Sequence, residues 1–291
     1  MNYKRLQRDI KQNKMETKVK IALGQIQKTL FMPVWARAVE TKKQKPILTD
    51  NVAVQIINNI DFDFSQMTSN LKEINQIAWI ARSKRFDIIV KSFLKDNPNG
   101  TIINIGCGLD TTYERINNQS VMWYDLDLPD VIELRRKFLI ESDRRKFIAS
   151  SFLDTDWLNT IQRDNKIMLI SAGVFVYFEE SVIKDFLIRI ADTLPEAELF
   201  FDVTSPKGMQ IANQVIKESG LDSSSYFKWG LKDKSIIKSW DSRIKILNTY
   251  YTFKIKGLGL SLKNRIIGFL SDLAGVQYMI HLKLIKDDKA N

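Results

Sequence analysis

The sequence predicts an α/β protein: a doubly wound, mostly parallel sheet of seven strands behind an N-terminal helical cap. Three observations carry this reading. After Asn97-Pro-Asn-Gly100 the chain changes texture, from helical spacing to short apolar runs alternating with amphipathic stretches, the pattern of a parallel sheet with crossover helices. The first apolar run, Thr101-Ile-Ile-Asn-Ile105, passes directly into Gly106-Cys-Gly108, a tight turn at the position where such sheets hold nucleotide-like ligands. Finally, 12 Gly and 6 Pro scattered over 291 residues leave no linker between independent domains. Residues 1–98 are therefore read as a helical extension and cap, and 99–291 as one continuous core.

The elements follow in order. From Leu6 to Leu94 apolar residues recur at helical spacing, as in Ile74, Ile77, Ala78 and Ala81, until Asn97-Pro-Asn-Gly100 stops the helix. Strands are expected at 101–105, 121–126, 146–149, 167–172 and 198–203, with helices at 129–141, 180–193 and 207–219 between or after them. Two further strands, 244–254 and 277–285, flank a helix at 262–274. A closing strand–helix–strand unit of this kind fits a sheet whose last pair is antiparallel.

Composition excludes several classes. The longest nearly unbroken apolar run, Ile167 to Phe178, is shorter than the roughly 20 residues a bilayer span requires, so no membrane partner is expected. The first 20 residues are basic but hold no apolar stretch followed by a cleavage site, which makes the cytoplasm the expected compartment. Cys107 and His281 are the only cysteine and histidine, so neither an intrachain disulfide nor a Cys/His metal cluster can form and no metal is expected. The formal charge of +10 owes much to Lys4, Arg5, Arg8, Lys11, Lys14, Lys18 and Lys20. No nucleic-acid motif or interleaved aromatic accompanies them, so a solvated basic arm is expected rather than a nucleic-acid site. The oligomeric state stays open.

The chemistry concentrates after the first strand. Gly106 permits the turn and Gly108 lets backbone approach a ligand. Thr111 stands where a dinucleotide fingerprint has its third glycine, which disfavours NAD and FAD. An adenosine without a pyrophosphate still needs a carboxylate for its ribose hydroxyls at the end of the second strand. Asp125 and Asp127, 19 and 21 residues beyond Gly106, both fit, and strand alternation puts them on one face. Position alone leaves both open; Asp127 is preferred partly because it lies nearer the strand end and partly on the family resemblance described next, leaving Asp125 to shape the surroundings. An acid before Pro129 also suits the following helix, as Glu179 and Glu180 suit theirs. Cys107 reads as a small loop residue and His281 as a packed or surface strand residue.

Several ordered words resemble the leucine carboxyl methyltransferase family, including its tetracenomycin-type polyketide O-methyltransferases. They are Trp35-Ala-Arg-Ala-Val-Glu40, the Lys45 to Ala53 segment with Asp50, Ile80-Ala-Arg-Ser-Lys-Arg-Phe-Asp87, Ile105-Gly-Cys-Gly-Leu-Asp-Thr111, Asp125-Leu-Asp-Leu-Pro-Asp-Val-Ile-Glu-Leu-Arg135 and Ala172-Gly-Val-Phe-Val-Tyr-Phe-Glu179. The later Phe227-Lys-Trp-Gly230 is similar too. The resemblance implies a Rossmann-like methyltransferase that binds S-adenosylmethionine and methylates a small molecule. It implies that Arg82, which alone would read as a solvated helix arginine, pairs with the cofactor's carboxylate beside Arg37. Gly106, Gly108, Asp110 and Asp127 then face the cofactor from the first two strands, and Ser151, Phe152 and Ala172 from the next two.

Two departures bear on substrate. Ser151 stands where many relatives carry an acid near the adenine, and Ala172 where the phosphatase-directed members have a glutamate. The second shifts the expected acceptor towards a small molecule. Tyr177 is the residue expected to shape the acceptor pocket. No catalytic residue is identified, and Tyr177, Glu179 and Asp110 stay open as bases. A carboxylate acceptor is expected, with a phenolic or other hydroxyl on a polyketide-like metabolite as the alternative. A nicotinamide oxidoreductase and a non-catalytic cofactor- or nucleic-acid-binding protein are the rival classes.

Overall fold

The computed structural model describes residues 18–20, 29–69 and 71–286. The early basic residues up to Lys14 lie outside this range. Seven strands form one sheet: β1 (Thr101–Ile105), β2 (Met122–Asp127), β3 (Arg145–Ala149), β4 (Ile167–Ser171), β5 (Glu198–Thr204), β6 (Ile244–Tyr251) and β7 (Gln277–Leu284). Their order is β3-β2-β1-β4-β5-β7-β6, parallel except for β7, which runs antiparallel to both neighbours. Chain order reverses between β1 and β4, which opens a crevice at their carboxyl ends.

β1 and β4 are buried along their whole length, as a sheet covered on both faces requires. Alternation sends Ile102, Trp123, Met168 and Phe200 to one face and Ile103, Tyr124, Leu169 and Phe201 to the other. The second face is covered by helix α6 (Glu180–Thr193) through Ile183, Phe186, Leu187 and Ile190. The first is covered by α3 (Glu73–Asp96), whose second half contributes Phe86, Val90 and Phe93.

The other α-helices longer than four residues among the described residues are α1 (Phe31–Thr41), α2 (Asn51–Asn59), α4 (Thr112–Ile116), α5 (Pro129–Arg136), α7 (Pro206–Glu218), α8 (Ser235–Trp240) and α9 (Leu262–Leu273). Three differences from expectation have local causes. α5 ends at Arg136 instead of near 141, because Ser142 forms a bridge to Arg145 and turns the chain directly into β3. β6 ends at Tyr251, where its pairing with β7 stops. The cap is not wholly helical either, since Val19–Lys20 pairs in parallel with Ile60–Asp61. α3 joins cap to core: its first half packs on α1 and its second half lies on the sheet.

Candidate functional site

A cavity of about 950 Å³ opens at the carboxyl ends of β1, β2, β4 and β5. This is at the upper end of the roughly 300–1,000 Å³ typical of ligand sites. Its floor is the loop after β1. Gly106 and Gly108 adopt left-handed φ values of +61° and +47°, which favour glycine. At Gly106 space also decides, because a Cβ would stand 2.3 Å from Val174 Cγ2. At Gly108 it would meet nothing closer than Leu30 at 3.4 Å, so conformation rather than crowding by the chain asks for glycine there.

Beneath the loop lies a buried charge network. Arg135, fully buried, donates to the carbonyls of Gly108 (2.7 Å) and Asp110 (2.9 Å) and pairs with Asp125 at 2.9 Å. Asp125 also receives Arg145 Nε and Trp123 Nε1, at 2.8 and 2.9 Å. Burial works against its charge, but Arg135 and Arg145 outweigh it and hold the carboxyl below the usual range. Asp125 is thus spent on structure, away from the cavity.

Asp127 faces the cavity. Its two oxygens accept from Gly108 N (2.7 Å) and Leu128 N (2.8 Å), and it has no salt-bridge partner among the described residues. Burial outweighs those two hydrogen bonds and lifts its carboxyl to about 6. The neutral hydroxyls of a ribose suit such an uncompensated acid.

The cap closes the cavity from above. Arg37 donates through Nε to Asp50 Oδ2 at 2.8 Å, and Asp50 Oδ1 caps α2 by accepting from Ala53 N at 2.9 Å. Arg115 on α4 pairs with Asp50 at 3.0 Å and with Asp87 of α3 at 2.9 Å, while the Thr111 hydroxyl donates to Asp50. Thr111, expected only to crowd a pyrophosphate, is thus a joint between cap and glycine loop. Burial disfavours charge on Asp110, yet Arg115 and Arg37 hold it well below the ordinary range. Arg82, on α3, donates from Nη1 to Asp202 Oδ2 at 2.9 Å; Asp202 also accepts from Gly173 N and Gln277 Nε2. Gly173 has φ +74°, and a Cβ there would press within 2.7 Å of Arg82 Nη1.

Every residue expected to bind cofactor lines this one cavity: Arg37, Arg82, Gly106, Gly108, Asp110 and Asp127, together with Ser151, Phe152 and Ala172. Ser151 Oγ accepts from Leu153 N at 3.2 Å, and Phe152 is buried against Phe175, Phe178 and Phe186. Tyr177 lines the cavity too, donating to Thr29 Oγ1 at 2.9 Å and meeting Phe227 edge-on, with its phenol raised by burial. Glu179 stands exposed at the rim, whereas Glu180 begins α6 and accepts from Trp229 Nε1. Cys107 is buried, which lifts its thiol well above the ordinary value, and His281 lies outside the cavity, 2.8 Å from Glu198 on β5. The residues that sequence reasoning did not assign, Asp87, Arg115, Arg135, Arg145 and Asp202, are charged groups whose partners are remote in the chain.

A family model described as leucine carboxyl methyltransferase matches residues 31–191, more than half of the chain. The chain belongs to this family. As a member of the leucine carboxyl methyltransferase family it is an S-adenosylmethionine-dependent methyltransferase. It is 29% identical over 222 residues, 75% of this chain and 80% of the relative, to the tetracenomycin polyketide synthesis O-methyltransferase TcmP of Streptomyces glaucescens. It is 26% identical over 234 residues, 74% of this chain and 78% of the relative, to the S-adenosyl-L-methionine-dependent methyltransferase dpfgK of Gibberella zeae. Among solved structures, a DUF574 family protein from Streptomyces avermitilis superposes with a TM-score of 0.58 at 11% identity, covering 88% of this chain and 97% of that one, a likeness of fold alone.

The family's cofactor suits what the cavity offers. Gly108 leaves room beside the loop backbone that only Leu30 approaches, Asp127 has no cation paired with it among the described residues, and Arg82 is a guanidinium on the cavity wall. When bound, S-adenosylmethionine supplies an electrophilic methyl group on a sulfonium.

Proposed function

We propose that this methyltransferase transfers the methyl group to a carboxylate on a small, largely apolar, polyketide-like molecule. The observation that carries the carboxylate is the charge arrangement at the acceptor end. Lys72, Lys207 and Lys228 stand around the opening against one rim acid, Glu179, while Asp202, at the inner end of the acceptor side, is occupied by Arg82, Gly173 N and Gln277. An anionic acceptor is attracted by such a rim, and being already ionised at neutral pH it needs no base to take a proton. Trp79, Val215, Phe227 and Phe253 give the same end apolar walls suited to a ring system. A relative named for polyketide O-methylation supports a small-molecule acceptor of that class.

In this reading Asp127 holds the ribose, the glycine loop lets the cofactor lie against backbone, and Arg82 and Arg37 orient the methionine carboxylate. Ser151 and Phe152 border the adenine, Asp110 and Ala172 complete the wall, and Tyr177 shapes the acceptor pocket. The protein's contribution to rate is alignment and exclusion of water. With His281 remote from the cavity, activity survives His281→Ala.

The test uses S-adenosylmethionine labelled in its methyl group together with extracts of the host. The labelled product is a methyl ester that releases methanol in alkali. An alkali-stable methyl ether as the main product replaces the carboxylate by a hydroxyl acceptor.

A further inference from the structure

Helix α9 is attached to the protein by its polar and small side. Asn264 Nδ2 donates to Glu73 Oε2 at 2.7 Å, Gly268 fits against the Phe253 ring, where a Cβ would come within 2.8 Å, and the Asp272 carboxylate accepts from Phe253 N at 3.0 Å. The apolar side faces outward: Leu262, Ile266, Phe269, Leu270 and Leu273 are 73%, 55%, 66%, 55% and 75% exposed. Their spacing places all five on one stripe of the helix, the stripe that an amphipathic helix ordinarily buries. A contiguous exposed apolar patch of this kind marks a docking surface.

Charge and position identify what it docks on. Lys254, Lys256, Lys263 and Arg265 are exposed around the stripe, whereas the nearby acids Asp272 and Glu73 are engaged by Phe253 N and Asn264. A basic collar on a chain of formal charge +10 repels a second copy of itself and attracts an anionic lipid surface. The helix, Leu262–Leu273, is too short to cross a bilayer and of a kind that lies within the interface. Ile267, Leu270 and Ala274 also line the cavity, joined by the exposed Ile211 of α7, so the apolar surface runs from the stripe into the acceptor end.

We propose that α9 is a lipid-docking face that seats the enzyme on an anionic bilayer with its cavity mouth towards the acyl chains. An amphiphilic acceptor then enters the cavity from the membrane; this clause rests on the methyltransferase reading of the cavity, whereas the docking itself does not. The expectation of no membrane partner came from span length alone, which says nothing about a helix lying on the surface.

The full chain is sedimented with vesicles of phosphatidylcholine alone or mixed with phosphatidylglycerol. It should bind the mixed vesicles, more weakly as salt rises, and the neutral vesicles poorly. Phe269→Glu with Leu273→Glu, at positions that line no cavity, should weaken vesicle binding roughly tenfold or more. Cofactor affinity of the same variant, measured by calorimetry, should stay unchanged and serves as the control for folding. Lys256→Gln with Arg265→Gln tests the collar independently and should weaken binding to the mixed vesicles. The proposal is overturned by absence of vesicle binding, by undiminished binding in both double variants, or by a wild-type dimer that Phe269→Glu with Leu273→Glu dissociates.

Discussion

Among the described residues Arg82 donates only to Asp202, through Nη1, so the remaining guanidinium nitrogens are available on the cavity wall. Arg82→Ala should weaken S-adenosylmethionine by about 10- to 100-fold, the roughly 1.5–3 kcal/mol of a charged hydrogen bond, and Arg82→Lys should be intermediate because it keeps charge without the fork. Decarboxylated cofactor is the control; equal losses for it and for the intact cofactor in Arg82→Ala would disprove the pairing. Asp127 permits a second test. Its carboxyl sits at about 6 because burial outweighs the hydrogen bonds from Gly108 and Leu128, and in the proposed site the ionised form is the one that would accept from ribose. Cofactor affinity should therefore be level above that pH and fall as pH drops through 6, where the acid is protonated. Calorimetry from pH 5 to 8 should show the fall in wild type, and Asp127→Asn should bind more weakly with that inflection gone.

Individual elements matter through what they immobilise. The loop after β1 has two glycines in left-handed conformations and is held from below by α5, whose Arg135 donates to the carbonyls of Gly108 and Asp110 while neutralising Asp125. Removing Arg135 leaves a buried acid sharing only Arg145 and frees two loop carbonyls. Arg135→Leu should cost about 3–5 kcal/mol in chemical denaturation, the range for breaking a buried ion pair from one side. Arg136→Leu, next along the same helix but with an exposed ion pair to Glu141, should cost less than about 1 kcal/mol. Similar losses for the two variants would show that the buried network does not hold the loop.

Taken whole, the molecule places the cavity proposed to hold the cofactor where three units meet: the glycine loop and β2 end, the α1–α2 cap tied on by Asp50 and Arg115, and the β4–β5 edge carrying Asp202. A ligand touching all three stabilises the entire fold by mass action. S-Adenosylhomocysteine at about 100 times its Kd should add roughly 2.7 kcal/mol, visible as a raised Tm, whereas NAD at the same concentration should leave Tm unchanged. A shift with NAD equal to that with S-adenosylhomocysteine would contradict the selectivity expected from Thr111 standing where a dinucleotide fingerprint has its third glycine.

How far the chain could be read without coordinates depends on how local each feature is. Strands β1 to β5 and the turn at Gly106–Gly108 are written in contiguous residues, and the β2 end that carries Asp127 follows from strand spacing, so these were legible directly. Arg82 was legible only through resemblance, because a helix arginine looks the same whether it meets water or a ligand. Arg115 and Asp87 lie 28 positions apart and Arg82 and Asp202 lie 120 apart. Such charges read as solvated until folding removes water and leaves each the other's partner. Asp125 and Asp127 share a strand face, and burial by Arg135 and Arg145 separates their roles. α9 shows the same limit: periodicity establishes that its leucines and phenylalanine form one stripe, but which stripe meets the core depends on Asn264, Gly268 and Asp272 finding Glu73 and Phe253, contacts that exist only after the sheet has brought distant segments together.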